Sequence, residues 1–232
     1  MTSRTEQLAA NLRTVRGQID AACADAGRDP SSVTLVAVTK TWPVEDVRAL
    51  ASLGVTELGE NRQSELTAKS ADARDLPIRW HFVGQLQANK ARAVAAAAAV
   101  VHSVDRERLV AALSAGAVAA GRTLDALVQV SLDGDTARGG APRAAVEDLA
   151  AAIEAAPGLR VAGVMAVPPL GADALASYRQ LVDIADGVRA HHPTATTISA
   201  GMSGDFADAI RAGSTLVRVG TALLGGRPPF VG

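Results

Sequence analysis

The chain has 232 residues, 48% hydrophobic and 3% aromatic, which is enough aliphatic surface for one sizeable core at a length ordinary for an α/β barrel. Lys and Arg number 23 against 24 Asp and Glu, so a net charge of −1 provides no field to gather nucleic acid or an anionic membrane. Cys23 is the one cysteine, which excludes an internal disulfide or a cysteine metal cluster and fits a reducing cytoplasm.

Arg4, Glu6, Arg13, Arg16 and Asp20 break up the apolar core that a signal peptide needs, and no stretch approaches a membrane span. Leu8, Leu12, Val15, Ile19 and Ala22 recur at helical spacing and predict an amphipathic helix over the first ~25 residues, ending near Gly27. Cys23 lies beside that stripe and reads as a small packed hydrophobe.

From Val33 onward, short apolar runs alternate with helical patterns. A strand at 33–38 precedes a helix after Pro43; 56–58 precedes 60–68; 79–83 precedes 88–96; and 100–103 precedes a helix from Asp105. The series continues with 124–131 before a helix from Pro142, 159–167 before 172–190, 196–199 before 203–212, and an eighth strand at 215–219. Runs such as Val33-Thr34-Leu35-Val36-Ala37-Val38 are nearly continuous in apolar residues, as parallel strands covered by helices require. The expectation is a single domain over 1–232, a closed (β/α)8 TIM barrel with an extra N-terminal helix. An open doubly wound sheet would give the same local pattern, but it usually carries a Gly-rich first turn, and here the first strand runs into Thr39-Lys40-Thr41-Trp42-Pro43.

In such a barrel the working residues come from the C-terminal ends of the strands. Those ends offer Lys40, Glu60-Asn61, His81, His102-Ser103, Asp133, Met165, Ser199 and Arg218. Lys40 follows an apolar strand into the barrel mouth, where partial desolvation favours the neutral, nucleophilic amine; a strand-end lysine that snorkels to solvent is the alternative. After the seventh strand, Ser199-Ala200-Gly201-Met202-Ser203-Gly204-Asp205 combines glycines with Ser203, a candidate helix cap, and a helix start there would present free N–H groups. Arg218-Val219-Gly220-Thr221-Ala222 follows the eighth strand, and loops 7 and 8 are where barrels frequently hold phosphate. One phosphate subsite and one amine nucleophile suit an aldehyde phosphate, either pyridoxal phosphate as cofactor or a sugar phosphate as substrate. Composition does not separate the two.

The stretches Val36-Ala37-Val38-Thr39-Lys40, Leu58-Gly59-Glu60-Asn61-Arg62, Trp80-His81-Phe82-Val83-Gly84-Gln85-Leu86-Gln87-Ala88-Asn89-Lys90 and His102-Ser103-Val104-Asp105 closely resemble the pyridoxal phosphate homeostasis proteins, the YggS/PROSC-like family. Gly163-Val164-Met165-Ala166, Ser199-Ala200-Gly201-Met202-Ser203 and Arg218-Val219-Gly220-Thr221-Ala222 extend the resemblance in order to the C-terminal region. It implies the fold of the alanine racemase N-terminal domain, the type III fold of pyridoxal phosphate proteins, with the cofactor as an internal aldimine on Lys40. It also implies phosphate binding by Ser203, Gly220 and Thr221, with Ser199 and Met202 shaping that pocket, and Arg218 facing the pyridine nitrogen. A cation there disfavours ring protonation and weakens the ring as an electron sink. Asn61 and His81 would line the site near the ring, although His81 could equally pack beside Trp80 and Phe82, and Asn61 could cap a helix. His191 and His192, before Pro193, read as surface residues. The chain departs from the family pattern at Gln85, Ala200 and Gly204, which bears on the loop after the seventh strand.

The implied role is a non-catalytic carrier that takes part in intracellular pyridoxal phosphate homeostasis, with apo forms of pyridoxal-phosphate enzymes as possible partners. A weak amino-acid racemase and a Schiff-base aldolase acting on a sugar phosphate are the alternatives. Racemisation needs acid–base groups on both faces of the cofactor, and in alanine racemases one is a tyrosine associated with a C-terminal domain and the partner subunit. The chain's one tyrosine, Tyr178, instead reads as a helix-face packing residue beside Leu175, Leu181 and Val182. With no further domain expected after Thr221 to complete a shared site, the chain is expected to be a monomer with an open mouth.

Overall fold

The structure is a computed structural model that describes residues 2–226. Its eight strands are β1 (Thr34–Val38), β2 (Glu57–Glu60), β3 (Arg79–Phe82), β4 (Val100–Val104), β5 (Leu124–Gln129), β6 (Leu159–Met165), β7 (Thr197–Ser199) and β8 (Leu216–Val219). Each pairs in parallel with the next, and β8 pairs back to β1, which closes the barrel in chain order. Around it lie α1 (Arg4–Asp25), α2 (Val44–Ser52), α3 (Gln63–Asp72), α4 (Ala91–Ala97), α5 (Glu107–Ala119), α6 (Val146–Ala155), α7 (Ala174–His191), α8 (Phe206–Ala212) and the short α9 (Thr221–Leu224). No helix among the described residues is long and apolar enough to cross a membrane.

The N-terminal helix starts at a capping box, in which Ser3 Oγ accepts from the Glu6 N–H and the Ser3 N–H donates to Glu6 Oε2. Its apolar stripe, including Cys23, is buried, and burial pushes the Cys23 thiol pKa up. The sequence pattern makes this helix an addition to the barrel, but the structure gives it a place in the ring. The helix after β8 is only four residues long, and the 22-residue α1 packs against α8 on one side and α2 on the other. Arg4 fixes the seam: its guanidinium donates to both Asp46 carboxylate oxygens (3.0 and 2.8 Å) and to Leu224 O (3.0 Å), and lies 4.5 Å over the Trp42 ring. Asn11 Nδ2 donates to Leu223 O at 2.9 Å.

Along each strand alternate side chains face the helices and the interior. Leu58, Trp80 and Phe82 join the large core between barrel and helices, while Val100, Leu127 and Met165 form a separate small apolar cluster. The register that sets Glu57 beside Arg79 and Gly59 beside His81 sends a row of polar side chains inward with that second cluster. Between β6 and β7 the backbones approach too closely for any side chain: a Cβ on Gly163, at φ +145, would lie 1.9 Å from Thr197 O.

Element boundaries move where tertiary contacts override local pattern. Helix α3 begins at Gln63, not near residue 60, because Glu60 stays in β2 opposite Phe82. Helix α8 begins at Phe206, with Asp205 at its N-cap position, so Ser203 does not cap it. His191 is exposed as expected, but the His192 side chain is only 12% exposed and lies 3.4 Å from Glu147 on α6, which corrects its surface assignment.

Candidate functional site

A cavity of about 350 Å³ opens at the C-terminal mouth of the barrel. Lys40, Asn61, Met202, Ser203, Arg218, Gly220 and Thr221 line it together with Val38, Val83, Gly84, Met165, Val167 and Gly204. His81 and Ser199 do not line it; both are fully buried beneath its floor. Gly204, one of the departures from the family pattern, forms part of the wall beside Ser203, so that departure touches the site itself.

Lys40 sits half-buried in the turn after β1, between two anchored neighbours. Thr39 is buried: its hydroxyl donates to Glu60 Oε1 at 2.6 Å and its carbonyl accepts from Lys69 Nζ at 2.8 Å. On the other side, Thr41 adopts the left-handed φ of +68 and its N–H donates to Glu65 Oε2 at 2.7 Å. Lys69 ties the two anchors together, with Nζ 2.7 Å from Glu60 Oε1 and 3.4 Å from Glu65 Oε2. Glu60 Oε2 is buried with no hydrogen-bond partner, and burial pushes the Glu60 pKa up despite Lys69. Adjacent Asn61 lines the cavity, its Oδ1 is buried without a hydrogen-bond partner, and a Cβ on Gly84 would lie 2.1 Å from Asn61 O. Only glycine lets the β3 exit cross here.

Across the mouth, the backbone N–H groups of Gly220 and Ala222 donate to Ser203 Oγ at 3.3 and 3.2 Å. The loop carrying Ser203 is held from behind by Asp205, whose carboxylate accepts from the Met202 N–H at 2.6 Å and from the Tyr178 hydroxyl at 2.8 Å. Gly201 is required here, at φ +92 and with a would-be Cβ 2.7 Å from Phe206 Cα. Arg218 closes the inner wall, its Nη1 donating to Ser199 O (2.8 Å) and Oγ (2.6 Å) and its Nη2 to Ala166 O (3.2 Å). These acceptors are neutral and burial lowers the guanidinium pKa to about 10, so Arg218 still presents a full cation at neutral pH. Among the described residues, no group of three or more His, Cys, Asp or Glu side chains is placed to hold a metal ion.

Below the cavity, His81 bonds Glu57 through Nε2 and His102 through Nδ1 (2.8 Å), and His102 Nδ1 lies 2.8 Å from Ser199 Oγ. Burial holds both imidazoles below the ordinary histidine range, His102 well below it. A histidine kept neutral in the folded state stays uncharged while its unfolded counterpart takes up a proton, so stability is full above about pH 6.5 and falls as pH drops below that value. Each such histidine contributes a slope of about 1.4 kcal/mol per pH unit. Urea unfolding at pH 7, 6 and 5 is therefore expected to show a midpoint that drops steeply below pH 6.5; a flat midpoint across that range would contradict neutral burial of the pair.

The model for the family described as alanine racemase, N-terminal domain, matches residues 4–228. A curated pyridoxal phosphate homeostasis protein of Corynebacterium glutamicum is 44% identical over 92% of this chain and 99% of its own length; one from Mycobacterium leprae is 42% identical over 96% and 93%. The chain belongs to the family of pyridoxal phosphate homeostasis proteins. Among solved structures, PipY of Synechococcus elongatus, described with PLP bound, is 33% identical and superposes with a TM-score of 0.82 over 94% of this chain and 100% of its own.

Within this homeostasis family frame, Tyr178 is not a cavity residue: it is 1% exposed, and burial and Asp205 both push its phenol pKa up. It braces the loop that carries Ser203. The sequence reading missed the Glu60–Lys69–Glu65 anchor, for which the i, i+4 spacing of Glu65 and Lys69 on α3 was the available signal. It also missed Glu57, for which a lone acidic residue at a strand start offers no distinctive signal.

Proposed function

We propose that this chain binds pyridoxal 5′-phosphate in the mouth cavity, carries it as a Schiff base on Lys40, and takes part in intracellular homeostasis of that cofactor without strong catalytic activity of its own. The observation that carries this reading is the placement of a primary amine, a convergent pair of backbone N–H groups and a buried cation around one cavity of about 350 Å³. Lys40 would supply the amine that takes the aldehyde, with one water released. Ser203, Gly220 and Thr221 take the phosphate: the Gly220 and Ala222 N–H groups make only long bonds to Ser203 Oγ, and a phosphate oxygen offers shorter charge-assisted ones. Arg218 would serve the pyridine nitrogen and Asn61 would line the site near the ring. Bound there, the cofactor would supply an electrophilic imine, which Arg218 leaves a poor electron sink by disfavouring ring protonation. That weakness, with Tyr178 buried behind the loop, favours a carrier over a racemase.

Val167 and Met202 at the rim are 43% and 39% exposed, so the mouth lies open to competing amines. We accordingly place the chain in the cytoplasm as a monomeric single domain that hands the cofactor to apo enzymes. The test is to load the protein with pyridoxal 5′-phosphate, remove free ligand, record the visible band, and then add an apo pyridoxal-phosphate enzyme. The expected result is a band lost on borohydride reduction in one aliquot and recovered acceptor activity in another. A protein that takes up no cofactor overturns the binding reading, and one that binds but never transfers overturns delivery. Ser203→Ala is expected to weaken cofactor binding about ten-fold, the scale of one lost hydrogen bond to a charged group, in equilibrium titration.

A further inference from the structure

A chain of polar groups crosses the barrel interior from its N-terminal face to the cavity wall. Glu57 opens β2, His81 stands on β3, His102 on β4, Ser199 on β7 and Arg218 on β8, and β4 and β7 are not neighbouring strands, so the His102–Ser199 bond spans the barrel. His81, His102 and Ser199 are all at 0% exposure, and in the cavity reading only Arg218 of this chain has a task.

The two ends dictate the direction of every bond between them. A guanidinium can only donate, so Ser199 Oγ accepts from Arg218 at 2.6 Å. An ionised carboxylate can only accept, so His81 carries its proton on Nε2, toward Glu57. Glu57 is kept ionised: burial raises its pKa, but the His81 bond and Arg79 outweigh that and leave it lowered. A neutral His81 then accepts at Nδ1, which requires His102 to carry its proton on Nε2; a neutral His102 accepts at Nδ1, which requires the Ser199 hydroxyl to donate to it. Every dipole in this arrangement points its negative end toward Arg218 and its positive end toward Glu57. A buried cation whose direct acceptors are all neutral is thereby stabilised by a distant carboxylate through aligned bonds.

We propose that Glu57 is a positioning residue for Arg218: through His81, His102 and Ser199 it sets the direction of a one-way hydrogen-bond chain, so that the far face of the barrel determines how the cation is presented to the cavity. The part that concerns bound cofactor rests on the pyridoxal phosphate reading above; the chain itself does not.

The experiment is nitrogen NMR of the imidazole rings in cofactor-free protein at pH 7, for wild type, Glu57→Met and Ser199→Ala. In wild type both histidines are expected to be neutral Nε2–H tautomers. Glu57→Met removes the acceptor at similar length, and His102 is expected to shift to predominantly Nδ1–H, donating to Ser199. Ser199→Ala leaves the carboxylate end intact, and both rings are expected to keep the wild-type tautomer. A wild-type His102 protonated on Nδ1, an unchanged tautomer in Glu57→Met, or a reversal in Ser199→Ala would each overturn the proposal, and if Glu57→Met does not fold, the wild-type and Ser199→Ala spectra decide it. In loaded protein, Glu57→Met leaves the field of Arg218 less balanced, so the pH at which the visible band changes is expected to move downward while wild type keeps its value. A midpoint that does not move limits the chain to the empty protein and overturns the link to the cavity. Failure of wild type to load at all counts against the binding reading and leaves the tautomer result standing.

Discussion

Lys40→Ala is expected to fold as wild type does, yet to keep no visible band once free and weakly held ligand is washed away, and to show no borohydride-fixed adduct on any lysine, including Lys69. Folding should survive because the turn is held by Lys40's neighbours: Thr39 by Glu60 and Lys69, and Thr41 by Glu65. No hydrogen bond or ion pair of the Lys40 side chain occurs among the described residues, and alanine removes mainly a half-buried aliphatic stem. Lys69 cannot take over the amine's task. Its Nζ is committed to Thr39 O and the Glu60 and Glu65 carboxylates, and it is only 7% exposed. Phosphate contacts at Ser203, Gly220 and Thr221 should still hold free cofactor reversibly, with affinity lower by about two orders of magnitude, equivalent to about 2.7 kcal/mol. Peptide mass mapping after reduction, beside equilibrium titration, checks both parts. An adduct on another lysine at wild-type yield would remove Lys40 from the site.

The second large effect is structural. Gly163→Ala is expected to abolish soluble expression or to lower stability by at least about 4 kcal/mol, because the new Cβ must enter the space of the neighbouring strand. That Cβ would stand 1.9 Å from Thr197 O and 2.7 Å from Thr197 C, and the φ of +145 is one that L side chains rarely adopt. The partner atoms are backbone atoms in the β6–β7 ladder, so no side-chain rotation relieves the overlap. Gly187→Ala is the control: it lies within α7 with nothing within 4 Å of its would-be Cβ, and is expected to be neutral or stabilising by up to about 1 kcal/mol. Urea midpoints of the two variants decide the matter, and a wild-type midpoint for Gly163→Ala would contradict the packing described between β6 and β7.

The strands were legible because parallel strands buried on both faces concentrate apolar residues, and β1, β5 and β6 lie within the runs that composition marks out. Lys40, Arg218 and the two glycine-containing loops were legible for a related reason: a polar residue directly after such a run has one place to go, the mouth of the barrel. What local pattern could not supply was contact across the closed ring. His102 and Ser199 are 97 positions apart, and their bond exists only because β4 and β7 face each other through the interior. His81 carried the spacing of a site residue and proved to lie one layer below the cavity, where the inward alternation of β3 directs it. Ser203 looked like a cap from its sequence neighbours, but its hydroxyl is taken by amides of the next loop, a partner no window along the chain contains.

The seam made by α1 has a consequence for synthesis. Leu8, Leu12, Val15 and Ile19 are translated well before α8 and α9, which help cover their stripe, and Arg4 and Asn11 wait for the carbonyls of Leu224 and Leu223. That helix is thus made long before two of its partners, and until they emerge part of its apolar stripe stays uncovered. Transiently exposed apolar surface of this kind is what holding chaperones bind.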